Sequence, residues 1–599
     1  MCGLAGELRF TPLDQAPRPA DLAAVERITH HLAPRGPDAW GFHSQGPIAL
    51  GHRRLKIMDL SDGSAQPMVD NTLGLSLAFN GAIYNFPELR QELQDLGYTF
   101  WSDGDTEVLL KGYHAWGAAL LPKLNGMFAL AIWERDNQRL FLARDRLGVK
   151  PLYLSRNGER LRFASTLPAL LKGGDIDPMI DPVALNHYLN FHAVVPAPRT
   201  LLANVQKLEP GTWMRVDRHG EIERQTWWQL QYGAHPDERE LDLEGWTTRV
   251  LDATRDAVAI RQRAAVDVGV LLSGGVDSSL LVGLLREAGV DDLSTFSIGF
   301  EDAGGERGNE FEYSDLIARH YGTRHHQLRI AEHEIIDQLP AAFRAMSEPM
   351  VSHDCIAFYL LSEAVSQHVT VVQSGQGADE LLAGYDWYPP LADASADQAL
   401  DVYAAHFFDR NHQVLGKILQ PQWMTQDDPS RDFVRAHFGR PDATAALDKA
   451  LRLDSQIMLV DDPVKRVDNM TMAWGLEART PFLDHEFAEL AAACPPELKL
   501  AQNGKGVLKE ASRKVLPAAV IDRKKGSFPV PAIINLEGLY LDRVRDALHS
   551  PAARNRDLFR PEYVEMLFED PNKNRTTLGS NQLWQLGLLE MWLQGHGIG

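Results

Sequence analysis

Cysteine is scarce in this chain, and its scarcity restricts how the protein can be stabilised. Only three cysteines occur among 599 residues, at Cys2, Cys355 and Cys494. Three thiols do not make the paired framework of a disulfide-stabilised secreted domain, and an odd number fits a reducing compartment. Because free cysteine behaves as a small hydrophobic residue, we expect Cys355 and Cys494 to lie in the core.

Long apolar runs and an excess of positive charge are also missing. No stretch approaches the roughly 20 apolar residues of a membrane-spanning helix, and no basic-then-apolar signal segment opens the chain. The chain has 60 Lys and Arg against 81 Asp and Glu, a formal net charge of −21. It therefore lacks the positive field that non-specific nucleic-acid binding needs. These absences predict a cytoplasmic protein with no membrane and no nucleic-acid partner.

The pattern of predicted strands and helices changes once along the chain, which predicts two domains. Residues 2–220 contain short strand-like runs between turn signals, with few helices. Residues 221–245 are polar and predict a linker. From residue 246 to residue 599, strands alternate with helices in the manner of a parallel α/β sheet, and beyond residue 385 the pattern is mostly helical. No function can be assigned to the helical residues 389–459 from their sequence.

Cys2 becomes the first residue if Met1 is removed, and a terminal cysteine carries both a nucleophile and a base. An α-amine has a pKa of about 7.7–8.0 and a thiol of about 8.5. The amine can therefore take the thiol proton near neutral pH and return it to a leaving amine. The alternative is an early cysteine without a role. Four motifs favour catalysis: RGPD at 35–38, HRRL at 52–55, NGAIYN at 80–85 and DGDTE at 103–107.

Together these motifs resemble the glutaminase of class II, N-terminal-nucleophile amidotransferases, specifically those of the asparagine synthetase family. The resemblance implies that Cys2 attacks the glutamine amide and that Asn80 and Gly81 form the oxyanion hole, where two donors meet the developing charge. It implies that Arg54 binds the glutamine α-carboxylate as a bidentate fork and that Asp105 binds the α-ammonium. The rest of the implied pocket is Leu55, Lys56, Ile57, Met58 and Ala82. Alternatively, Asn80-Gly81 is a hairpin turn and the two charges lie on the surface.

A second group of motifs follows the predicted buried strand at residues 266–272. Residues 273–279 (SGGVDSS) open a predicted helix, and such a glycine-rich turn forms an anion-binding nest. It is not a Walker A loop, because no GxxxxGK[S/T] occurs. It resembles the pyrophosphate loop of ATP-pyrophosphatases. The resemblance assigns ATP contacts to Leu271, Ser273, Gly274, Gly275, Asp277, Ser278, Ile298, Ser374 and Gly375.

Residues 374–380 (SGQGADE) follow another predicted strand and are similar to the SGEGxDE motif of the asparagine synthetase family. The resemblance implies that Asp277 and Asp379 hold Mg²⁺ against the phosphates, since this hard ion prefers oxygen ligands. Helix N-capping is the alternative for each aspartate. Residues 523–526 (RKKG) match a family loop whose lysine, here Lys525, neutralises phosphate charge in the transition state; an exposed surface lysine is the alternative.

The resemblance covers nearly the whole chain. It implies an α+β glutaminase domain, an αββα sandwich, followed by an α/β ATP-pyrophosphatase domain. Ammonia freed from glutamine at Cys2 would attack a carboxylate activated by ATP as an acyl-adenylate, with AMP and pyrophosphate released. The implied partners are small molecules, namely glutamine, ATP and the acceptor, and the family suggests a homodimer.

Gln376 departs from the family pattern, which has Glu at this position. That Glu is tied to formation of the acyl-adenylate, and a neutral amide cannot act as a base. We therefore place Gln376 and Asp379 at the acceptor side and expect an acceptor other than aspartate. The chain resembles a bacterial branch that amidates the C-terminal carboxylate of N-acetylglutaminylglutamine to make an osmoprotectant. The alternatives are aspartate, a ring closure similar to that of β-lactam synthetase, against which Cys2 argues, and a regulatory half without activity.

Overall fold

The computed structural model describes residues 2–12, 14–16, 18–233, 241–301, 309–352, 354–524, 526 and 531–598. In the first domain the strands are β1 Gly3–Arg9, β2 Ala39–Gln45, β3 Ile48–Arg54, β4 Met68–Asp70, β5 Leu75–Ile83, β6 Gly126–Glu134, β7 Arg139–Arg144, β8 Tyr153–Arg156, β9 Arg160–Ala164, β10 Gln206–Lys207, β11 Thr212–Asp217 and β12 Ile222–Thr226. Its helices are α1 Leu22–His31, α2 Phe86–Asp95, α3 Asp105–Trp116, α4 Leu167–Leu171 and α5 Pro182–Asn190.

Two antiparallel sheets form the centre of the first domain. One has the order β10-β8-β9-β1-β3-β2 and the other β12-β11-β7-β6-β5-β4. Their facing sides are apolar and pack together through residues such as Leu4, Ala78 and Ala129. Helices α1 and α4 cover the first sheet, and α3, with α2 beside it, covers the second. The predicted αββα sandwich is confirmed.

The second domain is built on a parallel sheet. Its strands are β13 Val268–Leu271, β14 Ser294–Phe300, β15 Arg324–Ile330, β16 Val371–Gln373 and β17 Glu477–Arg479. The first helices are α6 Leu243–Ile260, α7 Val276–Glu287, α8 Phe311–Tyr321, α9 Glu332–Ala345, α10 Asp354–Ser366, α11 Ala378–Leu381, α12 Ala399–Phe407, α13 His412–Ile418, α14 Pro429–Phe438 and α15 Ala446–Leu453. The remaining helices are α16 Lys465–Met472, α17 His485–Ala493, α18 Pro496–Leu500, α19 Gly506–Ser512, α20 Ala518–Ile521, α21 Pro531–Ile534, α22 Gly538–Leu548, α23 Pro551–Arg556, α24 Pro561–Glu569 and α25 Gln582–Gly595.

The order of this sheet is β15-β14-β13-β16-β17, with every pair parallel. The chain runs from β13 outward to β14 and β15 and then returns to place β16 on the other side of β13. The crevice at the carboxyl ends of β13 and β16 is thus a topological switch point, where open α/β sheets bind ligands.

Three elements differ from the predicted organisation. Strand β12 lies in the predicted linker and pairs with β11, so the first domain extends to Thr226, and α6 already begins at Leu243. Strand β17 lies in the region predicted to be mostly helical. Between α15 and α16 the helix continues through two π-helical segments, Asp454–Met458 and Val460–Val464.

The two domains share their apolar cores. One buried cluster contains Leu185 and Tyr188 of the first domain together with Trp584 and Leu586 of the second. Cys355 and Cys494 are both buried in the core, as expected. None of the helices that the structure describes has the length and apolar character needed to cross a lipid bilayer.

Candidate active sites

Cys2 lies just before β1, the strand that pairs with both β3 and β9 in the first sheet. Its backbone N–H donates to Asn80 Oδ1 at 3.0 Å, and the side chain is buried. Burial raises the pKa of the Cys2 thiol, against smaller opposing effects of the Leu55 N–H and of Arg54. The thiol therefore needs a base beside it to become a nucleophile.

Asn80 and Gly81 lie inside β5, paired with β6, and do not form a hairpin turn. Asn80 Nδ2 is buried and has no hydrogen-bond partner among the described residues. A Cβ on Gly81 would come within 2.1 Å of the Met127 carbonyl oxygen, so only glycine fits at this position. The Asn80 side-chain amide and the Gly81 backbone N–H, at adjacent positions near the Cys2 thiol, are donors that suit an oxyanion hole.

Arg54 and Asp105 are buried, which excludes the alternative that they are surface charges. The Arg54 guanidinium donates to the carbonyl oxygens of Ser61 at 2.7 Å and Asp59 at 2.6 Å. Asp105 Oδ2 accepts the N–H of Ile83 at 3.0 Å, which ties the start of α3 to the end of β5. Burial raises the pKa of Asp105 to about 6.

One pocket brings most of the predicted glutaminase residues together. The predicted residues lining it are Cys2, Arg54, Leu55, Ile57, Met58, Gly81 and Asp105. Lys56 does not line it: its N–H donates to Asp38 at 2.8 Å, and its ammonium lies 3.2 Å from Asp62. Asn80 and Ala82 do not line it either: Asn80 contacts Cys2 through its side chain, and Ala82 is buried in an apolar cluster.

Gln66 and Glu477 also line the Cys2 pocket, and sequence reasoning missed both. Gln66 Oε1 accepts the Phe79 N–H at 2.7 Å and so supports β5 next to Asn80. Glu477 comes from β17 of the second domain, with Arg479 Nε donating to its Oε1 at 2.6 Å. The wall of the first site is therefore completed by the other domain.

A second pocket, of about 260 Å³, lies at the switch point of the parallel sheet. The predicted residues that line it are Leu271, Ser273, Gly275, Asp277, Ser278, Ile298, Ser374, Gly375, Gln376 and Asp379. Gly274 does not line it. It has φ of +77° and packs against α8, where a Cβ would lie 2.7 Å from the Ser314 nitrogen.

Neither Asp277 nor Asp379 is a helix cap. Glycine occupies both cap positions, Gly275 for α7 and Gly377 for α11, and neither aspartate side chain caps its helix. The loop before α7 is held by hydroxyls instead: the Ser273 N–H donates to Ser278 Oγ at 3.2 Å. Both aspartates line the second pocket.

Lys505, which sequence reasoning missed, joins the two aspartates. Its Nζ lies 2.7 Å from Asp277 Oδ2 and 2.9 Å from Asp379 Oδ1. Burial alone would lower the pKa of Lys505, but these two carboxylates hold that pKa above its ordinary value. The available signal was Asn-Gly-Lys-Gly at 503–506, which begins α19 with Lys505 in the left-handed region at φ of +56°.

Lys525 lies outside the described residues. Arg523, in the same basic loop, lines the pocket and pairs with Glu310 at 2.9 Å. In the described ranges no group of three or more His, Cys, Asp and Glu side chains is arranged to hold a metal. Two carboxylates at a phosphate nest still fit Mg²⁺, because this ion is commonly held by one or two carboxylates and the substrate phosphates.

The first fold and its cysteine pocket are those of a glutamine amidotransferase, joined here to a parallel α/β domain. Residues 1–228 match the family model described as glutamine amidotransferase domain, and residues 249–594 match the one described as asparagine synthase. The chain belongs to the asparagine synthase family. It is an enzyme of the carbon–nitrogen ligase class that takes its nitrogen from glutamine.

Curated relatives align over most of their own length. Asparagine synthetase [glutamine-hydrolyzing] 1 of Bacillus subtilis is 31% identical over 99% of this chain and 96% of its own. A putative asparagine synthetase of Mycobacterium bovis is 31% identical over 89% of this chain and 88% of its own. Asparagine synthetase B of Escherichia coli is 26% identical over 84% of this chain and 78% of its own.

Proposed function

We propose that this enzyme amidates a carboxylate with ammonia released from glutamine at Cys2, and that it activates the carboxylate with ATP. The observation that carries the proposal is the Asn80 side chain: its Oδ1 holds the Cys2 N–H, and its Nδ2 is buried without a partner. A buried donor costs about 1–3 kcal/mol when unsatisfied. An oxyanion formed beside Cys2 would satisfy it.

In the first half-reaction the Cys2 α-amine, free once Met1 is removed, takes the thiol proton. The thiolate attacks the glutamine amide carbon, and the oxyanion is stabilised by Asn80 Nδ2 and the Gly81 N–H. The amine returns the proton to the leaving nitrogen, ammonia departs, and water hydrolyses the thioester to glutamate. Arg54 and Asp105 hold the two charged groups of glutamine.

In the second half-reaction an acceptor carboxylate oxygen attacks the α-phosphorus of ATP, and pyrophosphate leaves. Ammonia then attacks the acyl carbon of the adenylate, and AMP leaves with the C–O electron pair. Asp277 and Asp379 would hold Mg²⁺, which when bound neutralises charge on the pyrophosphate. Lys525 keeps the neutralising role that the resemblance implies, and we propose Lys505, 2.7 Å from Asp277 and 2.9 Å from Asp379, as a second cation for the phosphates.

For the acceptor, we propose the C-terminal carboxylate of N-acetylglutaminylglutamine. Gln376 supports this proposal: it lines the nucleotide pocket where the family has a carboxylate, and an amide can donate to and accept from a peptide. Aspartate is the competing acceptor, favoured by the relatives, which are named asparagine synthetases.

The test measures pyrophosphate release with Mg-ATP and glutamine while aspartate and N-acetylglutaminylglutamine are offered separately, with product masses recorded. Release with the dipeptide, and a product in which OH is replaced by NH₂, would support the peptide acceptor. Release with aspartate alone would refute it. Cys2→Ala is the internal control, since it should abolish glutamine-driven amidation and leave ammonia-driven amidation intact.

A further inference from the structure

Arg35, the arginine of the RGPD motif, connects the backbone of Cys2 to the second domain. Its Nε donates to the Cys2 carbonyl oxygen at 3.2 Å. The other end of the guanidinium forms a bidentate pair with Asp468 on α16, at 2.8 and 3.2 Å. All three residues are buried. Cys2 is thus hydrogen-bonded to Arg35, and Asp468 of the second domain orients the Arg35 side chain.

Cys2 needs such support because of its place in the chain. Strand β1 begins at Gly3, so Cys2 lies outside the strand ladder, and removal of Met1 would leave it at the chain end, where residues fray unless tied down. Its N–H is held by Asn80 and its carbonyl by Arg35. Nucleophile geometry is demanding, since a displacement of about 1 Å can cost about a hundredfold in rate.

Asp468 balances two buried cations rather than one. Lys150 Nζ of the first domain lies 3.0 Å from Asp468 Oδ1, on the same carboxylate as Arg35. Burial alone would raise the pKa of Asp468, but Arg35 and Lys150 hold that pKa well below its ordinary range. Without the carboxylate charge, the two cations would repel each other and Arg35 would lose the partner that directs its Nε at Cys2.

The same segment of the second domain also contacts the nucleotide side. Arg466, two residues before Asp468, donates to Ser352 Oγ at 2.7 Å and lies 3.7 Å from Asp354, which lines the nucleotide pocket. Farther along, the Arg479 carbonyl accepts the Ser374 N–H at 2.8 Å, at the start of the second nucleotide loop. Residues 466–479 therefore touch both sites.

We propose that Asp468 is a positioning residue for glutamine hydrolysis: from the synthetase domain it orients Arg35, which fixes the Cys2 carbonyl. The glutaminase pocket is then fully formed only when the first domain is docked on α16. This proposal rests on the proposed function for the role of Cys2 and extends it to a residue of the opposite domain.

The test compares Asp468→Asn with a matched control, Asp461→Asn. Asp461 lies on the same helical run and forms an equally buried pair with a first-domain lysine, Lys207, at 2.6 Å, without touching Cys2. We expect Asp468→Asn to lower the kcat for glutamine hydrolysis about a hundredfold, while ammonia-driven pyrophosphate release stays near wild type. Asp461→Asn should keep both activities.

A second variant separates positioning from docking. Arg35→Lys retains a cation opposite Asp468 but lacks the Nε that reaches Cys2, so it should lose glutaminase activity and keep ammonia-driven synthesis. Iodoacetamide alkylation of Cys2, followed by peptide mass, should slow in parallel in both variants. The other two cysteines, Cys355 and Cys494, are at most 1% exposed and should not interfere.

Two results would overturn the proposal: normal glutamine hydrolysis in Asp468→Asn, or equal loss in Asp468→Asn and Asp461→Asn, which would indicate general damage to the interface. Failure of the proposed function is distinguishable. In that case the wild-type chain would release no pyrophosphate with any acceptor, while the alkylation rates of wild type and Asp468→Asn would still decide whether Asp468 positions Cys2.

Discussion

Lys505 is the cation that joins Asp277 and Asp379 in the proposed nucleotide pocket, so it contributes directly to the charge balance of this pocket. In Lys505→Met the two carboxylates would lose the ammonium between them, and the pocket would lose a cation that can balance developing phosphate charge. We expect pyrophosphate release to fall at least about a hundredfold with either glutamine or ammonia, since charge stabilisation of this kind is worth 10²–10³. Glutamine hydrolysis should be unchanged.

Lys514→Met is the control for this measurement, because Lys514 is an exposed lysine just beyond α19. Its pyrophosphate release should equal that of wild type. A Lys505→Met enzyme that still released pyrophosphate at the normal rate would mean that another cation carries the role, with Lys525 the first to examine.

The raised pKa of Asp105 leads us to expect a lower pH limit for glutamine binding. Burial raises its pKa to about 6, so the carboxylate is ionised above that pH and protonated below it. Because the charged form is the one that binds an α-ammonium, kcat/KM for glutamine should fall as the pH drops through about 6. Asp105→Asn should raise KM roughly 10- to 100-fold, the effect of a lost charge-assisted hydrogen bond, and remove this limb from the profile. A limb that persists in Asp105→Asn would assign it to another group.

The residues that sequence could predict are those that stand inside a recognisable local motif. Asn80 and Gly81 are neighbours in one strand, and Asp105 follows a recognisable turn. Glu477 belongs to the cysteine pocket through folding alone, because it lies more than a hundred residues along the chain from the other residues that line this pocket.

At the scale of elements, the helical run from α15 to α16 is fixed by a buried carboxylate in its first π-helical segment. Asp454 accepts hydrogen bonds from Tyr388 at 2.6 Å, from Trp387 at 3.1 Å and from Tyr403. Burial raises its pKa to about 6. Because this run also carries Asp461 and Asp468, Asp454 stabilises the helix that meets the first domain.

Asp454→Ala should lower the free energy of unfolding by about 3 kcal/mol or more, because two buried hydroxyls and the half-buried Trp387 indole would each lose an acceptor. Asp454→Asn, which keeps an acceptor oxygen and the volume, should lose less. Urea denaturation of both variants measures the difference. Equal stability of the alanine variant and wild type would show that water replaces the lost carboxylate.

Elements were predictable where burial imposes an apolar pattern. The apolar runs at 126–133, 266–272 and 293–300 predict β6, β13 and β14 to within one or two residues, and the helical spacing at 105–116 predicts the bounds of α3. Strand β12 was missed because all five of its side chains are exposed and most are polar, as in a linker. Strand β17 was missed because Glu-Ala-Arg has no strand pattern, and its conformation comes from pairing with β16.

At the scale of the whole molecule, the shared cores predict cooperative unfolding. Leu185 and Tyr188 of the first domain are completely buried in a cluster with residues of α25. Separating the domains would expose this apolar surface, which is the dominant loss in unfolding. Calorimetry of the full chain should show one transition, and residues 2–228 expressed alone should aggregate. Two separate transitions would show that the domains are independent.

Strand β17 has only three residues, yet these residues contact both proposed sites of the enzyme. Glu477 lines the cysteine pocket, and the Arg479 carbonyl holds the first residue of a nucleotide loop. Selection on one reaction at these positions is therefore also selection on the other. In a mutational scan, substitutions at 477–479 should change glutamine hydrolysis and pyrophosphate release together. Changes of acceptor preference during evolution would then have to arise elsewhere on the pocket wall, where a mutation affects only one reaction.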